Sequence, residues 1–217
     1  LEESKEDQAY VQKEGAAYFD GLVARMREFQ VVIAQLPVRS DDKAESDRLI
    51  ATQKALADYA RGGGKLVVIN PGWEAAFEGT PLDEVMPVKS GKAKSWVYSC
   101  GPATDHPLSR GIPLEVTGAH FYGPVYEPAD GTCSPLTDAG RARGPAPTRF
   151  WHRALPGGGE VVHLFQVGGE KYQWRGENAA TYDPERPDDG AAWNAFYQRL
   201  LYGLAYGDKA FPVLAKV

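Results

Sequence analysis

Three groups of residues have the side-chain types that bond-making or ligand recognition requires. The first is the four histidines, His106, His120, His152 and His163, which exchange protons near neutral pH and ligate transition metals. His152 and His163 stand on either side of Gly157-Gly158-Gly159. A hairpin centred at or just beyond Gly157 makes them near cross-strand neighbours within reach of a shared metal, with a third ligand to come from elsewhere, His120 being the candidate. Without that ligand the histidines are packed or hydrogen-bonded, and no metal or other cofactor is expected. His106 sits in Asp105-His106-Pro107, a turn-forming string.

The second group is Trp73-Glu74, just after the apolar run Leu66-Val67-Val68-Ile69. The carboxyl end of a central parallel strand is where open α/β sheets bind ligands. There Glu74 would be the acid or base of a hydrolase or isomerase working with His106, His120 or His152, or simply a surface carboxylate capping the next helix. The third group is the stretch from Gly168 to Gly190, which holds Tyr172, Trp174, Arg175, Glu177, Asn178 and Tyr182 without a strong period. Aromatic rings interleaved with polar groups suit stacking on sugar faces, and loops of that length are commonly functional. The competing expectation is that Tyr172 and Trp174 cover the sheet or an interface. The triple glycines at Gly62 and Gly157 are turns, since a phosphate loop leads from strand into helix and Gly62-Gly63-Gly64 leads from helix into strand.

These side chains need a frame. From about Lys5 to Glu28, Val11, Tyr18, Leu22, Met26 and Phe29 recur at helical spacing, and Val31 to Ala34, closed by Pro37, reads as a strand buried on both faces. Ser40, Asp41 and Asp42 start a second helix with Leu49, Ile50, Gln53, Leu56, Ala57 and Ala60 on one stripe. It stops at the glycines in a left-handed cap, and Leu66 to Ile69 follows as a second buried strand. Two apolar strands joined by a helix make a right-handed parallel βαβ unit. Strand-like segments at Ser95 to Ser99, Ala119 to Tyr126, Arg149 to Ala154 and Glu160 to Gln166 add antiparallel pairs. Trp193, Phe196, Tyr197, Leu200, Leu201 and Leu204 form a closing helix stopped by Gly207, and Asp138 to Pro147 is an exposed loop.

The chain has 24 Lys and Arg against 29 Asp and Glu, a net charge of −5 with no dense basic block, so nucleic acid is not an expected partner. No apolar run approaches the roughly 20 residues that cross a bilayer. Leu1 in place of Met leaves a removed secretion signal open, so no compartment follows. Cys100 and Cys133 lie beside Gly, Ser or Pro and read as loop residues, either paired or as two free structural thiols, without CxxC metal spacing.

The strings "FQVVIAQLP", "ALADYARGGGKLVVINPG", "GTPLDEVMPV", "DHPLSRGIP", "GGGEVVHLFQVGG" and "WNAFYQRLLYGLAYG" resemble the class I glutamine amidotransferase-like superfamily, within it the trehalose-utilisation (ThuA-like) type. The resemblance implies a flavodoxin-like three-layer α/β sandwich, its sheet mostly parallel with antiparallel additions. It implies one domain over residues 1–217, with 29–207 carrying the likeness, 1–28 an N-terminal helix and 208–217 a tail. The family's first strand is not found before Lys5. Catalytic members place a Cys in a strained elbow after the central strand, where this chain has Glu74 and no His-x-Glu downstream, so glutamine hydrolysis is not expected. The implied role is a non-catalytic module that binds a small ligand, foremost a carbohydrate, through Trp73, Glu74, His120, Tyr172, Trp174 and Arg175, or that mediates assembly as a homo-oligomer or beside further domains. The alternative is a sugar-metabolising hydrolase or isomerase using Glu74 and His106.

Overall fold

The computed structural model describes residues 20–35, 38–70, 77–102, 116–138, 150–165 and 200–207. Helix α1 (Lys43–Arg61) runs through a glycine turn into strand β2 (Lys65–Asn70). Asp42, rather than Ser40, caps α1. Its carboxylate accepts from the Glu45 N–H at 2.8 Å, giving one exposed donor of the first turn a partner, while the Ser40 hydroxyl donates to the Glu45 side chain at 2.6 Å.

At the other end of α1 the Gly64 N–H reaches the Tyr59 carbonyl at 3.0 Å and the Gly63 N–H reaches Ala60 at 3.1 Å, a Schellman cap. The left-handed residue is Gly63, with φ +99°, whereas Gly62 stays at φ −78°. Gly64 is needed for a different reason: a Cβ there would overlap the Tyr59 ring. That ring is held in place because its hydroxyl lies 3.0 Å from the Phe29 carbonyl and accepts from the Lys65 N–H at 3.3 Å.

The strands are β1 (Val31–Gln35), β2, β3 (Val88–Pro102), β4 (Val116–Pro128), β5 (Thr132–Asp138), β6 (Phe150–Ala154) and β7 (Glu160–Phe165). They form one sheet in the order β1-β2-β7-β6-β5-β3-β4. The pairs β1–β2 and β2–β7 are parallel and the other four are antiparallel. The sheet is thus mixed, as the sequence suggests, but among the described residues its antiparallel additions outnumber its parallel pairs. One edge also curls over: Tyr126 near the base of β4 meets His163 of β7 edge-on, with ring centroids 4.9 Å apart.

Leu66, Val67 and Val68 are all fully buried. Successive strand residues point to opposite faces, so both faces of the sheet are covered at β2. On one face Leu66, Val68 and Val161 join Leu56, Ala57 and Ala60 of α1, together with Phe77, Leu82 and Met86, in a single core cluster. Val67 and Val162, which the register sets on the other face, stay outside that cluster, as do the buried Leu200 and Leu204 of the terminal helix (residues 200–207).

Several expectations change. β1 is not buried on both faces: among the described residues it is an edge strand paired only with β2, and Ile33 is 42% exposed while Ala34 is 8% exposed. In the N-terminal helix, described from residue 20, residues 20–24 are helical and Met26–Glu28 forms one 3-10 turn. Its apolar stripe is not shared burial, since Met26 is buried and Leu22 and Phe29 are exposed. On α1 the exposed Ile50 falls off the stripe, which Thr52 and Tyr59 complete instead. Cys100 and Cys133 lie in β3 and β5, not in loops. Cys100 pairs with Asp138, five residues or about 16 Å along β5 from Cys133, too far for a disulfide.

Candidate functional site

β2 and β7 are parallel neighbours, and their last pair sets Asn70 beside Phe165. In sequence, residues 71–76, with Trp73 and Glu74, follow β2, and residues 166–199, with Tyr172, Trp174 and Arg175, follow β7. All five of those site residues lie outside the described residues, and so does His106. His120 belongs to β4, in the irregular stretch between the pairs Phe121–Val97 and Thr117–Ser99. In strand order β7, β6, β5 and β3 stand between β4 and β2, so the sheet pairing does not bring His120 beside the end of β2.

The proposed His152–His163 metal pair does not form. β6 and β7 pair His152 with Val162 and Trp151 with His163, so the two imidazoles face opposite sides of the sheet. Among the described residues no group of three or more His, Cys, Asp or Glu side chains could hold a metal.

Each histidine has a different fate. His152 Nε2 lies 2.8 Å from Glu160 Oε2, and the Lys65 ammonium lies 2.6 Å from Glu160 Oε1 and donates to the Gly158 carbonyl at 2.7 Å. Glu160 thus sits between two nitrogen donors. Its carboxyl is held down to about 2, first by the hydrogen bond with His152 and then by Lys65, against the opposing effect of burial. This Lys65–Glu160–His152 cluster was not foreseen. The signal for it was present in the parallel register, which pairs Lys65 with Glu160.

His163 is fully buried, and among the described residues neither ring nitrogen has a hydrogen-bond partner. Burial pushes its pKa down to about 3, so the ring is neutral. A neutral imidazole without partners, packed edge-on to Tyr126, fills core volume and is not poised for proton transfer.

The two glycine runs, which read separately as turns, are in fact packed on each other. A Cβ at Gly157 would overlap the Arg61 carbonyl and one at Gly159 the Ala60 carbonyl, so the β6–β7 hairpin seats its backbone directly on the end of α1.

The sequence matches no protein-family model and no curated protein. Solved structures are similar in fold. The N-terminal domain of mmIFT52 aligns with a TM-score of 0.52 at 12% identity, covering 86% of this chain and 81% of that one. A ThuA-like protein from Bacteroides uniformis aligns with a TM-score of 0.54 at 12% identity over 97% of this chain and 90% of that one. A cytoplasmic protein from Salmonella typhimurium aligns at 0.50 and 12% identity, over 70% of this chain and 67% of that one. The chain shares the ThuA-like α/β fold.

Proposed function

We propose that the chain is a single ThuA-like α/β domain, with residues 29–207 forming a three-layer sandwich, that binds a carbohydrate at the carboxyl ends of β2 and β7 and does not hydrolyse glutamine. The observation that carries this reading is the adjacency of Asn70 and Phe165. It starts the Trp73-Glu74 segment and the Tyr172-Trp174-Arg175 segment from neighbouring strands, at the sheet end where α/β folds collect ligands. Glu74 in place of a thiol removes the nucleophile that amide hydrolysis needs, and the aromatic residues remain for stacking on a sugar ring.

A panel of mono- and disaccharides screened by thermal shift tests it. A bound sugar at a hundredfold excess over its Kd stabilises the fold by about 2.7 kcal/mol. The shift is expected to vanish in a Y172A/W174A variant and to shrink in E74Q. A panel in which no sugar raises the Tm defeats the reading.

Assembly is the second reading, favoured by one observation. β1 has no neighbour on its outer side among the described residues, and Val31-Val32-Ile33-Ala34-Gln35 carries no charge. Uncharged edges of this kind invite pairing with another chain. If assembly uses this edge, I33K lowers the solution mass to that of one chain. An unchanged mass assigns the edge no role.

A further inference from the structure

At the amino ends of β1 and β2, opposite the carboxyl ends discussed above, lies a cavity of about 430 Å³, a volume typical of small-molecule sites. Its lining includes Arg27, Phe29, Gly62, Gly63, Lys65 and Leu204. The glycine turn has no N–H to offer a ligand. Gly62 donates to Asp58, Gly63 to Ala60, Gly64 to Tyr59, and Lys65 to the Tyr59 hydroxyl. What the turn presents instead is carbonyl oxygen: among the described residues Gly62 and Gly63 accept no hydrogen bond, and they stand at the negative end of the α1 dipole. That end repels a phosphate and attracts an ammonium group.

Two cationic residues, Arg27 and Lys65, line the same cavity, and Arg25 and Arg61 do not. Arg25 is paired with Glu28, and Arg61 with Asp58 and Glu84, but Arg27 makes no ion pair among the described residues. Lys65 spends two of its three protons on Gly158 and Glu160, and among the described residues the third has no partner. Phe29, 47% exposed, and Leu204 add an apolar wall. A purely anionic ligand would meet the carbonyls, and a purely cationic one would meet Arg27. A ligand carrying both charges close together satisfies both sets.

We propose that this cavity binds a free α-amino acid with an apolar or aromatic side chain. Its carboxylate lies on Arg27 and the third Lys65 proton, its ammonium on the Gly62 and Gly63 carbonyls, and its side chain against Phe29 and Leu204. The site is independent of the carbohydrate reading, because it lies at the other end of the strands and shares no residue with it.

Titrating the whole ¹⁵N-labelled chain with L-phenylalanine, 3-phenylpropionate and 2-phenylethylamine separates the contributions. L-phenylalanine is expected to shift the amides of Gly62, Gly63, Gly64 and Lys65 saturably, with each half-ligand binding at least tenfold more weakly. R27Q, a change at an exposed residue, is expected to weaken L-phenylalanine at least tenfold and leave 2-phenylethylamine unchanged. No saturable shift at the turn up to the solubility of L-phenylalanine overturns the site. Equal binding of 3-phenylpropionate overturns the role of the carbonyls, and an unaffected R27Q overturns that of Arg27.

Discussion

Replacing His163 with leucine is expected to stabilise this protein, and to stabilise it more as the pH falls. At pH 7 the substitution removes two buried ring nitrogens that have no hydrogen-bond partner among the described residues. Each such group costs about 1–3 kcal/mol, so even with imperfect repacking of a side chain of similar volume a gain of about 1 kcal/mol or more is expected. The pH dependence follows from burial. The native pKa is about 3 against an ordinary 6.5, so below 6.5 the unfolded chain takes up a proton that the native chain refuses. The native state is therefore penalised progressively as the pH falls from 6.5 toward 3. At 1.36 kcal/mol per unit, the wild type loses about 2 kcal/mol from this group between pH 7 and pH 5.

H163L has no such proton to bind. Urea unfolding of both proteins at pH 7, 6 and 5, read as the difference in ΔG, should show a gap that widens by about 2 kcal/mol across the series. Other acid-titrating groups cancel in the difference. Glu160, held down to about 2, contributes stability that is complete above 4.5 and is lost only as the pH falls toward 2, so it lies outside the window. A gap that stays constant with pH, or an H163L variant less stable than wild type at pH 7, would refute the neutral, unpartnered imidazole.

Four further outcomes can be checked by the same unfolding assay. G159A should cost at least about 3 kcal/mol, because its Cβ would meet the Ala60 backbone carbonyl, which cannot swing aside. G158A, at φ +79° with open space around the Cβ, should lose only the 1–2 kcal/mol or so of left-handed strain. E160Q should cost about 1–2 kcal/mol at neutral pH, discounted because the Lys65 and Glu160 side chains are about a quarter exposed, and the cost should disappear as the pH falls from 4.5 toward 2. D42A, which leaves the Glu45 N–H without its cap, should lose about 1 kcal/mol.

What the sequence disclosed was mostly local. The glycine stop, the buried β2 and the β6–β7 hairpin each depend on a few neighbouring residues and stand where the residue pattern puts them, and the cap of α1 falls two residues later, on Asp42 instead of Ser40. β1 shows the limit of such reading: Val31 to Ala34 is as apolar as Leu66 to Ile69, yet among the described residues one strand lies at an edge and the other between two neighbours. Nothing within the strands distinguishes these positions, because sheet order is decided by the rest of the chain. β5 shows another, since Thr132-Cys133-Ser134-Pro135 has neither alternation nor a branched apolar run to mark a strand. The packing of one glycine run on the other was equally invisible, because it joins Gly159 to Ala60 across nearly half of the chain.

The histidines of β6 and β7 show how fine the margin is. A turn centred midway between Gly157 and Gly158 would set His152 opposite His163 and make a two-histidine metal edge. The hairpin instead closes with Leu155 N–H on the Gly159 carbonyl and Ala154 opposite Glu160, which centres it on Gly157. Half a residue moves His163 to the other face, as any one-step slip of register must. The same register leaves His152 diagonal to Glu160 on its own face, and that carboxylate already answers Lys65 across the parallel pair. The register therefore does not bring His152 and His163 together as a metal pair. The geometry that separates the two histidines also gives His152 its hydrogen-bond partner Glu160 and sends His163, neutral and without a hydrogen-bond partner among the described residues, into the core.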